Sequence, residues 1–413
     1  MNILYLYDFP LWGNGSGTFL RNLMAEVVKK HKVALVAPER RQIPKVRQFR
    51  VTPPFPLPVF IGHPELKDSK RYKDLTAAEI TKLYRAYLAT AIRAVEHFKP
   101  DIIHFHHLGL LSMLARYVHD LTGVGYIATT HGSDLKHIKE DRRFYNMTVH
   151  SIKDAKRITA VSGHTRRWFL DMFEGQSRYE LKRKTNIIPG GINTEEHKKK
   201  QHTRSVDWRY GLSGKKVALF VGRLTEEKGV EYIIKAAAKI NGDVLIVGDG
   251  PEMKKLKTIK RELGLKNLHI LGYIGREKSE KLKKLYARAD VIIAPSVIDE
   301  ALGIVILEAM YYAKPVVATR KGGIPLAVKE NETGLFVKPR NATDIAEKVN
   351  ALFADEEKSK RLGENAKRVV EERFTWNIIS ERFVALYAAG TSKNGSGESL
   401  KKKKSNSYAH HIH

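Results

Sequence analysis

Residues 2–9, NILYLYDF, are almost all apolar and run into a loop carrying Gly13, Gly15 and Gly17. The segment that follows, TFLRNLMAEVVKKH, repeats its apolar positions at helical spacing, and KVALVAP is a second short apolar run. Strand, glycine loop, helix and strand in that order predict a parallel, doubly wound α/β unit. From Thr76 to Phe98 the stripe Ile80, Leu83, Tyr84, Tyr87, Leu88, Ala91 and Val95 predicts a helix that Pro100 ends. Strands are expected at DIIHFHH, GYIATTHG, RITAVS and TNIIPGG. Residues 40–64 are basic and proline-rich, a composition that excludes a central strand or a long helix and predicts an extended surface segment.

The pattern breaks at Pro189-Gly190-Gly191, continues through a polar stretch from Thr194 to Asp207, and then restarts. KKVALFVGRL, DVLIVGDG, LHILGYI, ADVIIAPS and KPVVATR alternate with helical segments and predict a second α/β unit. The expected organisation is a first domain over 1–195, a second over 196–375, and a closing helix over 376–390. A polar, low-complexity, basic tail over 391–413 is expected to be disordered, its terminal histidines included. Two doubly wound domains facing each other place the default ligand site in the cleft between them.

Composition narrows the class. The chain has 413 residues, of which 42% are hydrophobic and 29% charged, so it is long enough for two cores and too apolar to be disordered. It has no cysteine, which excludes a disulfide framework, a thiolate nucleophile and a cysteine-ligated metal. The N-terminus lacks a basic region and a cleavage site, and no window is long enough to span a bilayer. The expected location is cytoplasmic, including the cytosolic face of a membrane. A net charge of +28 is a field that attracts phosphorylated substrates, anionic lipid or nucleic acid.

Several stretches carry candidate chemistry. Glu300 and Glu308 flank Ala301-Leu302-Gly303, which reads as the entry to a helix holding Glu308 in its second turn. The positive N-terminus of that helix can hold a phosphate. Glu308 sits among Ile304, Val305, Ile306, Leu307, Ala309 and Met310, where a carboxylate needs a partner. In VGRLTEEKGV, Arg223 and Lys228 follow a strand and could clamp a diphosphate; a solvated turn is the alternative. Gly248 and Gly250 fit a tight turn. His131 ends a strand and precedes Gly132-Ser133-Asp134, where a doubly wound sheet presents its strand ends to a cleft. His104, His106 and His107 resemble a metal cluster, but strand alternation puts His107 on the opposite face from the other two. No P-loop, His-Glu-x-x-His or Gly-x-Ser-x-Gly motif is present.

In order and spacing, these stretches resemble the retaining GT-B glycosyltransferases of the family numbered four. The resemblance is strongest over 187–390, through IIPGGIN, VGRLTEEKG, VGDGPE, the Glu300–Glu308 stretch, KPVVAT, ENETGLFVKP and FTWNIISERF. Over the first half it is looser, through Gly13–Gly17, THGSD and ITAVSGHT. It implies a GT-B fold and transfer of a sugar from a nucleotide diphosphate to an acceptor glycan, lipid or small molecule. It also implies that Arg223 and Lys228 hold the diphosphate, with Gly222 in the same turn, and that Glu308 accepts hydrogen bonds from the ribose. By the same resemblance Glu300 contacts the donor sugar and His131 lies beside it. Gly15 and Gly17 approach the phosphates from one side, and Gly303, Ile304 and Val305 from the other. No metal or other cofactor is implied, and the last helix is expected to cross back onto the first domain. The chain departs from the common pattern at Ala301-Leu302, Ala313 and Leu326; the first departure bears on the donor sugar rather than on the reaction. A nucleotide-sugar epimerase or a glycosyl phosphorylase would share this fold. Nucleic-acid binding would need aromatic residues interleaved with the basic ones, and no such series is present. An anionic membrane surface is compatible with the charge, with the basic, proline-rich 40–58 segment as a contributor.

Overall fold

The computed structural model describes residues 1–60, 69–199, 201–275, 279–299 and 301–391. Glu300 and the tail from residue 392 onward, two of the sequence expectations above, lie outside the described residues.

The first half forms a seven-stranded, all-parallel sheet. Its strands are β1 (Asn2–Leu6), β2 (Lys32–Ala37), β3 (Val46–Arg50), β4 (Ile102–His106), β5 (Gly125–Thr130), β6 (Arg157–Ala160) and β7 (Thr185–Ile187), in the order β3-β2-β1-β4-β5-β6-β7. The second half forms a six-stranded parallel sheet from β8 (Val217–Val221), β9 (Asp243–Val247), β10 (Leu268–Gly272), β11 (Val291–Ala294), β12 (Val316–Thr319) and β13 (Gly334–Val337), in the order β10-β9-β8-β11-β12-β13. The strands are continuous apolar runs because helices cover both faces; β4, β5 and β9 are buried along their whole length. Sequence order reverses between β1 and β4 in one sheet and between β8 and β11 in the other. The crevices at the carboxyl ends of those four strands are where such sheets bind ligands.

Two local differences from the sequence expectation have simple causes. The helix after β1 spans Gly15–Val27 and so begins three residues before Thr18, because the Asn14 side chain caps it by accepting from the Gly17 N–H at 2.6 Å. Within the proline-rich segment, Val46–Arg50 pairs in parallel with β2 as an edge strand, and Pro44, Pro53 and Pro54 all fall outside it.

The two halves are joined twice. The Ile192 N–H donates to Phe374 O at 2.8 Å and the Trp376 N–H donates to Ile192 O at 3.2 Å, so the outgoing and returning chains lie side by side. Gly191 makes this approach possible, since a Cβ there would stand 2.9 Å from Phe374 O. Beyond this crossing the helix Trp376–Thr391 packs on the first sheet. Its Ile379, Phe383 and Tyr387 are fully buried in that sheet's core, and the Tyr387 hydroxyl lies 2.9 Å from that of Tyr5 and 2.8 Å from His104 Nδ1. Among the described residues no helix is long and apolar enough to cross a membrane.

Candidate active site

A cleft of about 1120 Å³ opens where the strand ends of the two sheets face each other. On the first side its wall is built by the loops after β1, β4 and β5. The loop after β1 turns through Gly13 at φ 89 and delivers the helix N-terminus at Gly15. Gly15 has no atom within 4 Å of the place a Cβ would take, and it lines the cleft. Gly17 does not: a Cβ there would stand 2.4 Å from Leu11 O, so this glycine is needed for the loop to close on itself.

His131 follows β5 and lines the cleft. Its place is fixed by Asp134, whose fully buried carboxylate accepts from the backbone N–H of Leu108 (2.9 Å), His131 (3.1 Å) and Gly132 (2.8 Å) and from the Thr130 hydroxyl (3.1 Å). One side chain thus ties the loop after β4 to the loop after β5. Asp134→Asn presents an amide group where an acceptor is needed and strands at least one buried N–H. We expect a loss of about 2 kcal/mol in chemical denaturation, and a drop in turnover as His131 loosens. Unchanged stability would mean the four hydrogen bonds do not hold the loops.

His131 Nε2 lies 3.0 Å from His106 Nδ1, and Phe19 packs edge-on against the His131 ring at 5.2 Å. Burial pushes both imidazoles well below their ordinary pKa, and neighbouring histidines push the same way, so both are neutral at pH 7. His104 is likewise held to about 3 by burial. The three-histidine run divides as strand alternation requires. His104 and His106 lie with their rings tilted and centroids 4.3 Å apart, whereas His107, just past the strand at φ 70, donates from Nδ1 to Asp8 Oδ1 at 2.7 Å. Among the described residues no group of three side chains is placed to hold a metal ion.

On the second side, the turn after β8 places Arg223 on the cleft wall. Gly222 beside it is packed rather than open: a Cβ would touch the Phe220 ring at 3.0 Å, and its N–H donates to Val247 O. Gly248 (φ 149) would bring a Cβ to 1.8 Å from Gly222 O, and Gly250 would bring one to 2.4 Å from Leu224 O. The glycine pair therefore lets the β8 and β9 loops meet. Lys228 lies in the turn Glu226–Lys228 and is not part of the lining; that turn is tied to the β11 loop by the Val297 N–H donating to Glu227 O.

The helix Ile304–Tyr311 points its N-terminus at the cleft, and Gly303 and the exposed side chain of Ile304 line it. Val305 and Glu308 stand behind the lining. Glu308 is in the second turn of this helix, as the sequence predicts, and its partner is Tyr286, whose hydroxyl donates to Oε2 at 2.8 Å. Burial raises the Glu308 pKa to about 7, against the pull of the Tyr286 hydrogen bond, and Glu196 adds to the rise. Tyr286 is fully buried and stacks on Tyr312 at 5.8 Å. Nothing local in the sequence points from Glu308 to a tyrosine 22 positions earlier. The two halves also touch directly: Gly323 sits against Ser162, and His164 Nδ1 lies 3.4 Å from Asp299.

Two family profiles account for most of the chain. Glycosyltransferase Family 4 matches residues 13–196, and Glycosyl transferases group 1 matches residues 205–369. The chain belongs to glycosyltransferase family 4. An uncharacterized glycosyltransferase of Methanocaldococcus jannaschii is 35% identical over 212 residues, which is 49% of this chain and only 54%, about half, of that relative. The N-acetyl-alpha-D-glucosaminyl L-malate synthase of Bacillus anthracis is 27% identical over 297 residues, covering 70% of this chain and 74% of its own length. Among solved structures, Anabaena HepE in complex with UDP superposes with a TM-score of 0.71 at 18% identity, covering 94% of this chain and 100% of that one. Sucrose-phosphate synthase from Thermosynechococcus elongatus gives 0.71 at 20% identity, over 94% and 98% of the two chains. The fold of this family 4 enzyme is therefore GT-B, two parallel sheets facing one cleft.

Proposed function

We propose that the protein is a retaining glycosyltransferase that moves a sugar from a nucleotide-diphosphate sugar to an acceptor hydroxyl without a metal ion. The observation that carries this reading is the convergence of anion-binding elements from both switch points on one cleft. The N-termini of the helices at Gly15 and Ile304 and the guanidinium of Arg223 all border it. Helix N-termini offer unpaired N–H groups and partial positive charge, and an arginine adds a fixed fork of donors. Together they suit a diphosphate leaving group whose charge grows as the glycosidic bond breaks. Glu308, ionised when ribose hydroxyls donate to it, would hold the nucleoside end. Retention follows if acceptor and leaving group occupy the same face of the sugar, with the departing phosphate oxygen taking the acceptor's proton. The complexes of Anabaena HepE with UDP and with UDP-glucose make uridine the first base to try.

The test is thermal shift against nucleotide diphosphates and nucleotide sugars in the presence of EDTA. One base should stabilise the protein strongly, since a ligand at about a hundred times its Kd adds about 2.7 kcal/mol. NMR of the product formed from that donor should then show the donor's anomeric configuration preserved. Absence of any shift, or an inverted product, overturns the corresponding half of the proposal.

A further inference from the structure

We infer that the polar atoms clustered around Phe60, beside the cleft, form a pocket that binds hydroxyl groups of the acceptor once that ring turns aside, and that the acceptor is a polyhydroxylated, sugar-like molecule. This rests on the transferase reading above. Three aromatic side chains surround the Phe60 ring: Tyr72 at 5.0 Å, His107 at 5.4 Å and His137 at 4.9 Å between centroids. Each carries a polar atom that is buried and has no hydrogen-bond partner among the described residues: the Tyr72 hydroxyl, His107 Nε2 and His137 Nε2. Their side chains are 1%, 1% and 4% exposed.

A single unpaired buried polar group costs about 1–3 kcal/mol, and native cores hold few of them. Three around one ring form a cluster of donors and acceptors that a bound molecule can satisfy. His107 and Phe60 also form part of the wall of the cleft that Arg223 lines. Phe60 is partly exposed and lines the cleft while Tyr72 and His137 do not, so a turn of the Phe60 ring is what would bring their polar atoms within reach of a bound molecule.

The chemistry of the three groups selects the ligand. His107 uses Nδ1 on Asp8 at 2.7 Å and leaves Nε2 without a partner; burial opposes its charge, while Asp8 and, beyond it, Asp134 raise its pKa. His137 is lowered to about 4 by burial, and burial raises Tyr72 well above the ordinary phenol range, so both are neutral at pH 7. A neutral imidazole and a phenol can each donate or accept, which matches hydroxyls. The Phe9 ring, which also lines the cleft, supplies apolar surface against which a sugar's C–H face packs. In the transfer, the bond from the donor's anomeric carbon to phosphate breaks and a bond to the acceptor oxygen forms. The acceptor's proton leaves with the diphosphate, and the pocket only holds the acceptor.

The decisive variant is Tyr72→Phe. Its hydroxyl has no partner to lose, so the variant should fold with an unchanged or higher Tm, which a structural role for that hydroxyl would not allow. Imidazole 15N–1H spectra of wild type, saturated with the nucleotide diphosphate that stabilises it, are titrated with D-glucose, maltose and L-malate. The His107 and His137 signals are assigned with His107→Gln and His137→Phe. Saturable shifts of both imidazoles with a sugar, weakened about tenfold or more in Tyr72→Phe, are the expected result. Phe60→Ala should respond at lower sugar concentration. The assignment is overturned if neither sugar moves these signals, if only L-malate does, if Tyr72→Phe binds sugar as wild type does, or if Phe60→Ala no longer responds. Nucleotide stabilisation measured on the same samples separates the two proposals: its presence without a sugar response removes the pocket and leaves the transferase reading standing.

Discussion

Glu308→Gln should make the protein more stable above pH 7 and at the same time abolish most of its stabilisation by nucleotide. The two effects have one cause. Burial raises the Glu308 carboxyl from 4.5 to about 7, so the folded protein holds this proton more tightly than the unfolded chain does. Stability from the protonated form is complete below pH 4.5 and is lost progressively as pH rises through about 7. Above that, keeping the carboxylate ionised in its enclosed site costs about 3 kcal/mol. Glutamine has the shape of the protonated acid and can still accept from the Tyr286 hydroxyl, so it escapes this cost. Binding runs the other way. A carboxylate accepts strongly from two ribose hydroxyls, and losing charge-assisted bonds worth about 1.5–3 kcal/mol weakens the nucleotide roughly ten- to hundredfold. In wild type the affinity should rise with pH through about 7, and in the variant it should be flat. Thermal melts from pH 5 to pH 9, with and without the stabilising nucleotide, show both. A variant that melts lower at pH 8, or binds as well as wild type, would remove Glu308 from the nucleotide site.

How far this was legible in the sequence depends on the distance over which each feature is built. The parallel sheets follow from unbroken apolar runs alternating with helical stripes, a local signal. So does the second-turn position of Glu308 behind a helix N-terminus. The edge strand Val46–Arg50 was hidden because its neighbours are prolines and its own residues are mostly polar; only pairing with β2 makes it a strand. Gly17, Gly222, Gly248 and Gly250 look alike as letters. The first of the four serves closure of its own loop, and the others let two loops pack together. Gly15, by contrast, has open space beside it at the cleft. The partnerships that tune the site are long-range: Glu308 with Tyr286, His107 with Asp8, and the ring cluster around Phe60. None leaves a spacing motif, because residues 99 positions apart, such as Asp8 and His107, meet only when β1 and β4 become neighbours.

Arg223→Ala should lower kcat by about a hundred- to a thousandfold, the range seen when one preorganised donor to a developing anion is removed. The side chain is exposed and lines the same cleft as the Gly15 helix N-terminus, so a diphosphate bound there could meet both. In the ground state that diphosphate shares its charge with the sugar it still carries. As the glycosidic bond lengthens, negative charge concentrates on the leaving oxygen, and a fixed guanidinium gains more from the transition state than from the bound substrate. The loss should therefore appear mainly in kcat, with a smaller change in KM for the nucleotide sugar. Arg223→Lys keeps the charge but not the forked geometry and should recover only part of the rate. Because the cleft gives Arg223 no part in the fold's core, Tm should stay within about 1 °C of wild type, as for other surface substitutions. The measurement is steady-state release of nucleotide diphosphate for the three proteins, with water and with an added acceptor. A rise in KM with kcat intact would mean that Arg223 binds substrate and transition state equally and that the driving charge lies elsewhere in the cleft.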